Sequence, residues 1–105
     1  MDLTKDEERW AVWMVQAQRF ARRQNFSDAV RRMQLTRDAI RQALSDATDP
    51  NRRQRLQLLL ARADEQLATL RAQYEAWRSK IAAQRQHTID HAAEEMLRPL
   101  PKIVD

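Results

Sequence analysis

His87, His91, Glu94 and Glu95 come nearest, in this 105-residue chain, to a spacing that does chemistry. Steps of three and four stack side chains on one face of a helix, and two imidazoles beside a carboxylate could hold a divalent metal ion there. A closed metal site also takes ligands from a second element. The chain has no other histidine and no matching carboxylate pair, so the expectation is a polar helix face, with no metal and no cofactor. A metal bridging two chains is the one arrangement that escapes this argument.

Other routes to catalysis are closed by composition. Glycine is absent, which removes the loops that cradle phosphates, and cysteine is absent, which removes a thiolate nucleophile. The expectation is a protein that is not an enzyme.

Arginine is the next chemical signal. The net charge is +4, with sixteen Arg against three Lys. Residues 1–8 sum to −3, residues 9–63 carry twelve Arg against four acids for +8, and the remainder sums to −1. Arg19, Arg22, Arg23, Arg31 and Arg32 fall on either side of one expected turn, beside Phe26. Guanidinium groups in that number could bind phosphates of a nucleic-acid backbone or a carboxylate-rich peptide, and an exposed Phe26 could stack on a base. A solvated cluster that stabilises a helix C-terminus is the plainer account.

The third signal is apolar. Leu56, Leu60, Ala63, Leu67, Leu70, Tyr74, Trp77 and Ile81 alternate spacings of four and three, a heptad seam on one helix. No Gly or Pro interrupts the 48 residues between Pro50 and Pro99, and such a helix would span roughly 70 Å. After Ile81 the seam positions become Gln84, Thr88 and His91, although Ile89, Ala92, Ala93, Met96 and Leu97 are still to come. The loss of phase marks a change of partner, a turn of the seam, or a break near Gln84 to Thr88; the absence of Gly and Pro favours continuity.

The elements that carry these residues are all helical. Ala, Leu, Arg, Gln, Glu and Asp dominate, and strand and tight-turn residues are scarce. Thr4 and Glu7 form the pattern of a capping box, with Asp6 and Glu8 adding negative charge to the first turn. The first helix then shows Trp10, Trp13, Met14, Ala17, Phe20 and Ala21 at helical spacing, with Val12 and Val15 widening the band enough to suggest two neighbours. Asn25 is expected to end it in the left-handed conformation and Ser27 to cap the second helix, with Asp28 in its first turn. The second helix carries Val30, Met33, Ile40, Leu44 and Ala47, with Ala29, Ala39 and Ala43 on a flanking strip that permits close approach. Asp49 and Pro50 then read as cap and first residue of the third.

The expected fold is therefore an antiparallel three-helix bundle, with helices at about residues 4–24, 27–47 and 50–98. Its third helix continues, coiled-coil-like, past the end of the hairpin at about Leu70. One helical domain over residues 1–98 is followed by a Pro-containing tail, 99–105, in which Leu100, Ile103 and Val104 are apolar enough to dock. The longest apolar run, Trp10 to Val15, is far short of the roughly 20 residues a membrane span needs. With an acidic N-terminus unlike a signal peptide and no cysteine, a cytoplasmic location is the expectation.

Phe20-Ala21-Arg22-Arg23-Gln24-Asn25-Phe26-Ser27-Asp28-Ala29-Val30 resembles the helix-turn-helix of tetratricopeptide repeats and of MIT domains. Ala17, Asn25, Phe26 and Ala29 stand at matching positions, and Arg62-Ala63-Asp64 resembles a step in the third MIT helix; the likeness covers about residues 10–70. Thr36-Arg37-Asp38-Ala39-Ile40 resembles a step in flagellar export chaperones of the FliT type, where a hairpin precedes a long third helix. Either resemblance implies binding of another protein's helix and no catalysis. The residues expected to bind a partner helix, or a second copy in a homo-oligomer, are Tyr74, Trp77, Ile81, Ile89, Met96 and Leu97; nucleic acid on the Arg cluster is the alternative.

Overall fold

The computed structural model describes residues 4–97, and the expected apolar tail lies outside them. These residues form three helices, α1 (Lys5–Arg22), α2 (Phe26–Asp46) and α3 (Pro50–Leu97). By internal contacts the chain forms two compact units, Met1–Tyr74 and Glu75–Asp105.

The first unit is a three-helix bundle, and its caps explain where the helices stop. Thr4 Oγ1 accepts from the Glu7 amide at 3.2 Å while Glu7 Oε2 accepts from the Thr4 amide at 3.0 Å, the expected capping box. Helix α1 ends two residues earlier than the spacing predicts. The Asn25 amide donates to Phe20 O at 2.8 Å and the Gln24 amide to Ala21 O at 2.9 Å, a Schellman closure. The left-handed residue is Gln24, with φ of 61°, and not Asn25. Asn25 instead starts α2 with no side-chain cap, which displaces Ser27 from the expected capping role. At the other end of α2, Arg53 Nη1 donates to Leu44 O at 3.0 Å and to Ala47 O at 2.8 Å, a side-chain cap on the last carbonyls of the helix. Asp49 Oδ2 accepts from the Arg52 amide at 2.9 Å, so the Asp49-Pro50 start of α3 is as expected.

Cross-helix bonds set the register. Glu7 meets Arg55 and Gln18 meets Gln66, both 48 residues apart, so α1 and α3 run parallel. Gln34 with Arg71, Arg37 with Asp64 and Leu44 with Arg53 come in opposite order, so α2 runs antiparallel to α3. The 48-residue offset places Arg22, the last residue of α1, level with Leu70. Leu70 is also the last fully buried side chain of α3 among the described residues.

Trp10, Met14, Ala17, Ala29, Met33, Ile40, Leu56, Ala63, Leu67 and Leu70 form the core. The backbones of α1 and α2 approach most closely, as fully buried Ala17 and Ala29 permit. Thr36, also fully buried, turns its hydroxyl onto Arg32 O at 2.8 Å, which satisfies the one hydroxyl in the middle of the core. Helix α1 has the two neighbours expected, α2 and α3, but Val12 and Val15 are more than half exposed, because both neighbours lie on the Trp10, Met14 and Ala17 side.

The second unit is described over residues 75–97, all within α3. The helix is unbroken through Gln84 to Thr88, where the Thr88 hydroxyl donates to Gln84 O at 2.9 Å.

Candidate docking and anion surfaces

Tyr74 closes the first unit and is half-buried. In the second unit Trp77 and Ile81 are half-buried, while Ile89, Met96 and Leu97 are 61%, 86% and 84% exposed. No described residue from Glu75 to Leu97 is fully buried. The apolar face does not end at Ile81. It resumes one position later, at Ile89, Ala92 and Met96 in place of Thr88, His91 and Glu95, with Arg85 between the two stretches. Successive steps of four through Trp77, Ile81, Arg85 and Ile89 keep these side chains on one drifting stripe. The phase loss seen in the sequence is thus a one-residue skip within a continuous helix.

Four of the five arginines gather with Phe20. Gln16, Arg19, Phe20, Arg23 and Arg32 line one shallow hollow, and Phe20, Asp28, Arg31, Arg32 and Leu35 line its neighbour. Phe20 lines both hollows and so lies among these guanidinium groups. Arg22 is exposed and lies outside both hollows. Arg32 sits 5.7 Å from the centroid of the Trp13 ring, a cation–π contact that fixes its stem against α1.

A third feature escaped the sequence. Glu7, read there only as a capping residue, is 3% exposed and its Oε1 lies 3.5 Å from Arg55 Nε. Ala11, Leu58, Leu59 and Arg62 complete a groove between α1 and α3 with this pair in its wall. The signal was the coincidence of two helix phases, since Glu7 precedes Trp10, Met14 and Ala17 on the same face, and Arg55 adjoins Leu56.

Of the metal constellation, His91 Nε2 lies 3.8 Å from Glu95 Oε1. Among the described residues no three His, Asp or Glu side chains gather closely enough to hold a metal ion. No described helix is long and apolar enough to cross a membrane. No model of a known protein family, no curated protein and no solved structure matches the chain.

Proposed function

We propose that the protein is a non-enzymatic helical interaction module that docks a helix, from another protein or from its own copy, along the C-terminal half of α3. The observation that carries this reading is the contrast within one unbroken helix. Among the described residues full burial ends at Leu70, yet large apolar side chains continue, with Trp77 and Ile81 part-exposed and Ile89, Met96 and Leu97 mostly exposed. Covering such side chains contributes very roughly 1.5–3 kcal/mol each before the cost of association is subtracted. The resemblance of the hairpin to tetratricopeptide, MIT and FliT-type modules points the same way, as those families hold helices of other proteins. Adaptor, chaperone and assembly subunit are the roles open to such a module.

The double substitution Trp77→Ala with Ile81→Asp tests the reading. Association, measured as molar mass by light scattering, is expected to be lost while the far-ultraviolet circular dichroism of the bundle persists. Loss of helicity in monomeric protein would place both residues in a folded core and overturn it.

A second reading has its own observation, the gathering of Arg19, Arg23, Arg31 and Arg32 around Phe20. In that reading the protein is a small basic subunit that lines a nucleic-acid backbone in a larger complex. Its mark would be an affinity for DNA or RNA that falls steeply with salt as counterions are released.

A further inference from the structure

The arginine gathering in the first unit has apolar borders. Beside the two hollows that share Phe20 and Arg32, a third is lined by Ala11, Val12, Val15, Gln16 and Arg19, and it shares Gln16 and Arg19 with its neighbour. The three make one continuous surface over α1 and α2, which reaches about 16 Å along α1 from Val12 to Arg23 at 1.5 Å per residue. Val12, Val15 and Leu35 stand on it 54%, 52% and 52% exposed. Phe20 is packed against the core and only part-exposed, so it floors the hollows.

The charge on this surface has no answer among the described residues. Arg19, Arg23, Arg31 and Arg32 enter no ion pair there, whereas Arg9, Arg37 and Arg55 each have a carboxylate, at 3.9, 2.9 and 3.5 Å. Asp28 is the one carboxylate that lines any of the three hollows, so four guanidinium groups leave an excess of three positive charges. Glu8, a turn before Val12, and Asp38, a turn after Leu35, lie outside all three, and Asp38 accepts from Arg37. Arg32 borders two hollows with its guanidinium already stacked 5.7 Å from the Trp13 centroid, so it has less freedom to lose when an anion arrives.

Guanidinium groups take phosphate and carboxylate alike, so charge alone does not choose between a nucleic-acid backbone and an acidic protein segment. The apolar borders do choose. Phosphates and sugars would leave Val12, Val15 and Leu35 in water, and Phe20 has only part of its ring to offer a base. Aliphatic or aromatic side chains of a protein segment would cover all four while neighbouring Asp or Glu reach the arginines. A membrane interface takes in a raised apolar face, not hollows between side chains.

We infer that this α1/α2 surface docks an acidic amphipathic segment of another protein, with Asp or Glu interleaved among aliphatic or aromatic residues. The surface belongs to the first unit and does not depend on helix docking along the C-terminal half of α3.

The test is selection from a displayed library of random peptides of about twelve residues, enough for three helical turns, against the full chain. Peptides that also bind the Arg19→Glu, Arg31→Glu variant are removed first; both positions are exposed, and circular dichroism confirms that the variant is folded. The retained peptides are expected to combine acids with aliphatic or aromatic residues. Measured by fluorescence anisotropy, the best of them should bind the arginine variant about a hundredfold more weakly, from two lost charge-assisted hydrogen bonds. Val12→Ser with Val15→Ser should weaken it about tenfold through the apolar contact alone. Trp77→Ala with Ile81→Asp should leave it bound as before; an effect there would take the peptide off the α1/α2 surface and overturn the inference. No retained peptide, or retained peptides indifferent to the valine pair, would also overturn it. So would oligothymidylate or phosphatidylserine vesicles that bind more tightly than the best peptide and lose affinity in the arginine variant. The first of these would leave the nucleic-acid reading standing, and the second would make the surface a membrane contact.

Discussion

Residues 50–74 and residues 75–97 of α3 belong to the same unbroken helix and both display apolar side chains at helical spacing, yet only the first stretch has a buried side chain. Leu56, Ala63, Leu67 and Leu70 are each 1% exposed or less, whereas Ile89 and Met96 are mostly in solvent. The difference does not lie in helix propensity, which is high in both. It lies in the neighbours: the register of the bundle runs out of α1 at Leu70, and the seam shifts phase shortly after Ile81.

The sharpest way to break this comparison is to truncate one side chain from each stretch. Leu67→Ala opens a cavity among Leu70, Ala63 and their neighbours, and should cost about 3 kcal/mol, enough to lower the denaturant midpoint plainly. Met96→Ala, made in protein dilute enough to be monomeric, should change it by less than about 0.5 kcal/mol. Equal effects would mean that the C-terminal stretch is part of the bundle's core.

The α1/α3 groove sharpens the comparison from the other side, since it shows what a covered polar pair looks like here. Glu7 is buried with its carboxylate against Arg55, whereas Asp6 with Arg9, Asp38 and Asp64 with Arg37, and His91 with Glu95 are pairs in which at least one side chain is about half exposed. Arg55→Leu keeps apolar bulk but strands the carboxylate, and should cost about 2–3 kcal/mol, less than a fully enclosed pair because the Arg55 side chain is itself partly solvated. Adding Glu7→Gln to that variant should recover part of the loss, as the stranded charge is gone. Chemical denaturation of the two variants measures both steps.

Legibility in the sequence followed the range of the interaction. The capping box of Thr4 and Glu7 and the Asp49-Pro50 start were readable because both are decided within four residues. The heptad seam was readable to Leu70 because helical period alone selects its face. Period does not say how far around a helix its neighbours reach, so the band suggests the two neighbours of α1 but not that Val12 and Val15 stay open. It also does not align two helices, so the burial of Glu7 by Arg55 and the capping of α2 by Arg53 stayed hidden. The arginine cluster was legible as a gathering, since a tight turn must bring its flanks together. The place of the turn itself was less legible, since the closure comes one residue before the expected position.

That closure supports the smallest prediction. Gln24 holds φ of 61°, a region in which a side chain crowds the backbone and glycine does not. Gln24 is exposed, so replacing it removes no buried contact. Gln24→Gly should therefore relieve a strain of about 1 kcal/mol, partly offset by the greater freedom glycine gives the unfolded chain, for a net stabilisation of about 0.5 kcal/mol. The gain should appear as a higher denaturant midpoint with an unchanged slope. Because the turn belongs to the first unit, the same variant should leave the molar mass in solution unaltered. A shift in mass would mean that the hairpin turn and residues 75–97 are coupled, so that the two stretches of α3 do not answer to separate partners.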